Sequence, residues 1–314
     1  MTQAFAPSRI LKTNASDLLR DLDLTDDELL YVLDLAAEVK LAPQEYAHSL
    51  DGKSIALLFE KPSLRTRLTF EIAIRDLGGG SVFCDGPIGV REPLKDIARN
   101  LDRWVHGIVA RVFSQTTVEG LAEWSRVPVI NALTDLYHPC QALADMQTLR
   151  EHFGRFKGLK LTFVGDGNNV AHSLMLSAIR LGMDFSLACP QGYLPNPDIV
   201  TQAEGLAAVS GASLEITHDP ARALDGSHAV YTDVWASMGQ EQEAVKRKKA
   251  FRDYQVNDAL FALARPDAVF MHCLPAKRGE ECTDSVMESP RSVVFDQAEN
   301  RLHAQKALLL TMLN

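Results

Sequence analysis

The sequence predicts an α/β protein: two doubly wound parallel-sheet domains joined by long helices. Three observations predict it. Short apolar runs such as Ser54 to Phe59, Gly107 to Phe113 and Leu159 to Val164 have the length and polar bounds of buried strands. Amphipathic helical stripes separate them, so successive strands lie parallel with helices on both faces. The alternation fills the first half of the 314 residues and starts afresh near residue 159, which asks for a second sheet.

The elements follow in order. Thr25-Asp26-Asp27-Glu28 is a capping box, and Leu29, Val32, Leu33, Ala36 and Ala37 give the stripe of a packed helix. Ser54 to Phe59 is the first strand. Phe70, Ala73, Ile74 and Leu77 fall at helical spacing, and Gly78-Gly79-Gly80 stops that helix. Ser81 to Cys84 is a strand, followed by a helix carrying Leu94, Ile97, Ala98, Leu101 and Val105. Gly107 to Phe113 is a strand, Val118 to Ser125 a short helix, and Val127 to Leu133 another strand. Pro139 suits the first position of a long helix reaching about Gly154. Beyond it come strands at Leu159 to Val164 and up to Cys189, with a helix to Leu181 between them. Further strands are expected at Ser213 to Thr217, His228 to Thr232, Ala268 to His272 and Ser292 to Phe295. A last helix spans Glu299 to Met312. The expected division is residues 1–146 plus 299–314 against 147–298, with the active site in the cleft between the two domains.

Composition bounds the function. A net charge of -9 disfavours nucleic acid, which asks for a basic footprint. Five cysteines (Cys84, Cys140, Cys189, Cys273, Cys282) without a C-x-x-C disfavour a disulfide framework or zinc site. No apolar run has membrane-spanning length, and the first residues lack a secretory pattern. A cytoplasmic enzyme is the expectation.

In open α/β sheets ligands bind beyond the carboxyl ends of strands, and every chemical motif here lies at such an end. The first is Phe59-Glu60-Lys61-Pro62-Ser63-Leu64-Arg65-Thr66-Arg67. Ser63, Arg65, Thr66 and Arg67 sit on a strand-to-helix turn, where free N–H groups and the helix dipole favour an anion. Two hydroxyls and two guanidiniums suit a phosphate. The bland alternative is a helix cap, which needs only one of the four. Arg111 lies inside an apolar strand and is costly unless paired; a buried ion pair is its bland reading. His138 and Gln141 start a helix, where capping is the alternative. Gly165-Asp166-Gly167 invites a dinucleotide reading. Val170 breaks the glycine pattern, however, and Cys189-Pro190 lacks the ribose-binding acid. Asp233-Val234-Trp235-Ala236-Ser237-Met238-Gly239 and His272-Cys273-Leu274-Pro275 each end a strand. Polar-loop and core-packing roles compete there, and Arg301 reads as solvated.

Taken together, Ser-x-Arg-Thr-Arg, His-Pro-x-Gln, Asp-x-x-x-Ser-Met-Gly and His-Cys-Leu-Pro resemble the aspartate/ornithine carbamoyltransferase family. The likeness runs from about Leu50 to Leu310, and the last two motifs point to its ornithine branch. The resemblance implies that carbamoyl phosphate and L-ornithine give L-citrulline and phosphate, as in arginine biosynthesis. Related amines such as putrescine or N-acetylornithine are the alternative acceptors. An NAD-dependent oxidoreductase and a noncatalytic ligand-binding relative remain open beside it. By the same likeness Ser63, Leu64 (through its backbone N–H), Arg65 and Thr66 bind carbamoyl phosphate. Thr66, Arg111 and His138 donate to its carbonyl oxygen, Gln141 holds its amino group, and Arg301 lies near the carbamoyl group. Cys273 and the Leu274 carbonyl lie near the carbamoyl group and the attacking nitrogen. Asn169 and Asp233 take the amino-acid end of ornithine, with Ser237 and Met238 closing over it. Arg65, Arg111, His138 and Cys273 are the catalytic set; neither metal nor cofactor is implied. The family also implies a homotrimer with sites at subunit interfaces, and domain closure after carbamoyl phosphate binds. One departure stands out. Many members carry a Gln before the third helix that reaches a neighbour's phosphate; Gly80 to Leu94 here has none, and Arg91 is the candidate replacement.

Overall fold

The computed structural model describes residues 10–236 and 241–313, so Ser237 and Met238 lie outside the described residues. In chain order the first elements are α1 (Asp26–Leu41), β1 (Ser54–Phe59), α2 (Leu64–Asp76), β2 (Gly80–Asp85) and α3 (Leu94–Trp104). Next come β3 (Gly107–Arg111), α4 (Gln115–Trp124), β4 (Val129–Leu133), α5 (Pro139–Phe153), β5 (Lys160–Val164), α6 (Asn169–Arg180) and β6 (Asp184–Ala188). The remainder are α7 (Pro197–Ser210), β7 (Leu214–Thr217), α8 (Pro220–Leu224), β8 (Ala229–Thr232), α9 (Ala244–Ala250) and α10 (Asp258–Phe261). The chain finishes with β9 (Val269–His272), α11 (Asp284–Met287) and α12 (Val294–Leu313). It forms two compact units, Met1–Gln147 with Asn300–Asn314, and Thr148–Glu299. The chain thus passes between units inside α5 and again inside α12.

The first unit holds a four-stranded parallel sheet in the order β2-β1-β3-β4. Ile55 to Phe59 of β1 are all buried, as a strand covered on both faces requires. Ala56, Leu58, Ile108, Ala110 and Val129 share one cluster with Ala98, Val118 and Leu121 from α3 and α4. Order β2-β1-β3 means the winding reverses between β1 and β3, and the carboxyl ends of those two strands flank the switch point. In α2, Ser63 is the N-cap, its Oγ accepting from Thr66 N at 3.2 Å, while Phe70, Ala73 and Ile74 are buried. The helix stops at Leu77 because Gly78 turns with φ +89°; a Cβ there would lie 2.8 Å from the Ala47 carbonyl oxygen. The capping box of α1 forms as read: Thr25 accepts from Glu28 N, and Glu28 accepts from Thr25 N.

The second unit holds five parallel strands in the order β7-β6-β5-β8-β9, so its switch point lies between β5 and β8. Phe251, Phe261 and Phe270 centre its core. One expectation fails. Ser292 to Phe295 is no strand: Ser292 makes a single parallel bridge to Phe270, and α12 already begins at Val294. Val293 N donates to the Phe270 carbonyl at 3.0 Å, and Gln297 N then bonds the Val293 carbonyl at 2.9 Å. The two β-branched valines are buried as a helix start, so tertiary burial overrides their strand preference. Among the described residues no helix is long and apolar enough to cross a membrane.

Candidate active site

At the first switch point a β-bulge sets the geometry. The β3–β4 register shifts between Ala110 and Arg111, which re-aims the side chain at the end of β3. Arg111 is buried there, and its Nη1 donates to Thr66 Oγ1 at 3.5 Å. Arg301 on α12 donates from Nη2 to the same hydroxyl at 3.2 Å and from Nη1 to Gln141 Oε1 at 2.6 Å. Thr66, Arg111, Gln141 and Arg301 therefore meet, although Thr66 and Arg301 are 235 positions apart. Gln141 lies on the first turn of α5, and its Nε2 donates to Asp145 Oδ1 at 2.8 Å. Two guanidiniums converging on one buried hydroxyl leave the cluster positive, a place for an anion.

The rest of the turn divides its labour. Ser63 is the cap, so the bland reading holds for its lone pair; its O–H hydrogen remains a donor for a ligand oxygen. Arg65 is half-buried and Leu64 exposed, and their backbone N–H groups open the first turn of α2. Lys61, part of the motif but given no role from the sequence, is half-buried with its Nζ 4.6 Å from the Phe113 ring centroid. Burial, then Arg111, lowers its pKa. Glu60 pins the surrounding loops, accepting from Ile88 N at 3.0 Å and Phe113 N at 2.9 Å. Arg91 is exposed.

His138 is buried just before α5, and its pKa falls well below the usual 6.5. Burial is the main cause, followed by the charges of Arg301, Arg111 and Lys61. The ring stays neutral and keeps one N–H to donate. The unfolded chain takes up a proton on this ring below about pH 6.5 that the folded chain refuses. The contribution of His138 to stability is therefore fully present above about pH 6.5 and is lost as pH falls below it. His138→Gln is expected to make the fall in urea midpoint between pH 7.5 and 5.5 shallower than in the parent. Equal falls in the two proteins would contradict this account.

In the second unit the turns after β5, β8 and β9 come together. Asp233 is buried at the end of β8; its Oδ2 accepts from Asn168 Nδ2 at 2.9 Å and its Oδ1 from the Cys273 thiol at 3.1 Å. Asn168 also caps α6, its Oδ1 accepting from Val170 N and Ala171 N. Sequence reasoning singled out Asn169, one residue later, which occupies the first turn with its Oδ1 on Val170 N at 3.0 Å. The cap position was the signal for Asn168, since one asparagine can cap and still present its amide. Gly167 is glycine for packing: a Cβ there would meet the Pro195 nitrogen at 2.3 Å. The turn therefore presses on the loop after β6, which explains the glycine without a pyrophosphate. Asp166 pairs with Arg247 of α9 at 2.6 Å, and Arg247 also donates to the Trp235 carbonyl at 3.0 Å. That clamp fixes the backbone two residues beyond Asp233.

Leu274 holds φ +58°, the one non-glycine among the described residues at positive φ. Such a backbone is strained and needs its surroundings to hold it. His272 does so: its Nδ1 accepts from Leu274 N at 2.8 Å, leaving the Nε2 hydrogen for buried Glu281 at 3.1 Å. Asp233, His272 and Cys273 could offer ligand atoms within 4.8 Å of one another. Both His272 nitrogens are engaged, however, and the thiol is on the carboxylate, so the group fits a hydrogen-bond network better than a metal.

Two family models match the chain one after the other, the second running on through most of α12. Residues 16–151 match the family model for the aspartate/ornithine carbamoyltransferase carbamoyl-P binding domain. Residues 157–312 match the model for its Asp/Orn binding domain. The chain is 52% identical over 298 residues to an ornithine carbamoyltransferase of Thermococcus kodakarensis, covering 93% of this chain and 95% of that one. It is 51% identical over 298 residues to the anabolic ornithine carbamoyltransferase of Pyrococcus furiosus, again covering 93% and 95%. A solved ornithine carbamoyltransferase structure from Pyrococcus furiosus superposes with a TM-score of 0.93 at 49% identity, covering 96% of this chain and 99% of that one.

Proposed function

The chain belongs to the aspartate/ornithine carbamoyltransferase family, and on that premise we propose that it transfers the carbamoyl group of carbamoyl phosphate to the δ-amine of L-ornithine. The products are L-citrulline and phosphate, a step of arginine biosynthesis. One observation carries the reading: Arg111 and Arg301 both donate to Thr66, with Gln141 on Arg301, at the switch point of the first sheet. An acyl phosphate matches that set, because oxyanion donors and phosphate donors are adjacent.

In the proposed reaction Ser63, Arg65, Thr66 and the N–H groups at the start of α2, including that of Leu64, hold the phosphate. Thr66, Arg111 and neutral His138 donate to the carbonyl oxygen, Gln141 accepts from the amino group, and Arg301 orients both. Asp233 takes the α-ammonium of ornithine, assisted by Asn169, Ser237 and Met238. Cys273 and the Leu274 carbonyl receive the δ-amine. A free alkylammonium of this kind has a pKa of about 10.4, so the nucleophile must lose a proton first. Nearby guanidiniums and desolvation favour that loss. The neutral nitrogen attacks the carbamoyl carbon, and the carbonyl electrons move to an oxygen already met by three donors. Collapse breaks the carbon–oxygen bond to phosphate, whose charge the α2 turn stabilises, and the remaining extra proton of the attacking nitrogen passes to the departing phosphate.

The experiment is a side-by-side assay of carbamoyl transfer from carbamoyl phosphate to ornithine, putrescine, N-acetylornithine and aspartate. Ornithine is expected to dominate; preference for another amine would overturn the assignment. A homotrimer is part of the proposal. Support comes from β2, an edge strand with Val82 exposed, and from exposed Leu64, Leu68 and Val90 near it in sequence. Sedimentation giving a mass other than a multiple of three chains would remove that assembly.

A further inference from the structure

We propose that Asp145 is a positioning residue that fixes which end of the Gln141 amide faces the substrate, and so selects a carbamoyl over an acetyl group. The inference rests on the reading above, in which Gln141 meets the carbamoyl amino group. An amide side chain has a donor end and an acceptor end of nearly the same shape; only its fixed partners decide which is which. Gln141 Nε2 donates to Asp145 Oδ1 at 2.8 Å, and Gln141 Oε1 accepts from Arg301 Nη1 at 2.6 Å. A carboxylate cannot donate and a guanidinium cannot accept. Flipping the amide would set oxygen against carboxylate and nitrogen against guanidinium, so both contacts would turn repulsive. Asp145 is fully buried and Gln141 nearly so, and water has little access to repair the loss. The two residues are four apart on α5, on one face of the helix, so the pair needs no distant element to form.

The consequence is chemical. A carbonyl oxygen has two lone pairs. Arg301 takes one, and a ligand N–H takes the other. The amino group of carbamoyl phosphate supplies that hydrogen. Acetyl phosphate has the same outline but places a methyl there, leaving the second lone pair of that buried oxygen without a partner. Discrimination between the two is set by an acid that need not touch either ligand.

The test measures the KM for carbamoyl phosphate and the inhibition constant of acetyl phosphate in Asp145→Leu and Asp145→Asn. The leucine removes the acceptor and adds bulk; the asparagine keeps a carbonyl for Nε2 at nearly the parent volume. Asp145→Leu is expected to lose ~10-fold in preference for carbamoyl over acetyl phosphate, the scale of one buried hydrogen bond. The loss should fall on carbamoyl phosphate alone, and Asp145→Asn should recover most of it. If the leucine variant does not fold, Asp145→Ala carries the same comparison without added bulk. Equal weakening of both phosphates, or an unchanged ratio, overturns the proposal. Gln141→Leu separates the two layers. If it leaves the ratio unchanged, the reading of Gln141 fails; if it abolishes the preference while Asp145→Leu does not, only the role of Asp145 fails.

Discussion

Arg111→Ala is expected to lower kcat by ~10²–10³ while the protein remains folded, the loss typical of one oxyanion donor. The guanidinium is held by a bulge at the end of β3 and donates to Thr66, so it is aimed before substrate arrives. Alanine keeps the strand and removes the charge. Stability should change little or rise. Arg111 stands among like charges: it lowers the pKa of Lys61 and helps to lower that of His138. Its removal relieves that repulsion, the usual exchange of stability for activity at a site. Arg65→Ala is expected to act in the same direction through the phosphate. Steady-state kinetics with thermal melts check both, and near-parent rates in both variants would contradict the assigned roles.

Asp233→Asn is expected to raise the KM for ornithine by ~10²-fold or more, with the KM for carbamoyl phosphate nearly unchanged. Losing the charged partner of a buried pair costs about 2–5 kcal/mol, and asparagine keeps the shape while discarding the charge. Its carbonyl can still accept from Asn168, so the turns after β5 and β8 should stay tied. The split between the two Michaelis constants separates a substrate contact from general damage, which would raise both. A variant with parent-like ornithine KM would show that the α-ammonium is met elsewhere.

How far the sequence could be read follows from the range of each interaction. The α1 capping box and β1 emerged as expected because both are written in adjacent residues. Strand-end motifs were legible for the same reason: apolar runs announce the strands, and polar residues follow them. Ser292 to Phe295 misled because two valines that look like a strand are buried by the fold as a helix start. Arg301 was illegible from its neighbours, since its partners Thr66 and Gln141 are 235 and 160 positions away. Asp145 was hidden differently. It sits in a plain helical repeat, and only the direction of one amide reveals its work.

The order in which the units appear along the chain carries a consequence for synthesis. Thr148–Glu299 interrupts the other unit, whose closing stretch is Asn300–Asn314. On the ribosome the inserted body can fold as soon as it emerges, whereas the body around it waits for its last helix. Arg301 belongs to that late stretch. A nascent chain halted before it has the loop of α2 but not the cation that braces Thr66 and Gln141. Products cut short before Arg301 therefore lack its two hydrogen bonds to Thr66 and Gln141.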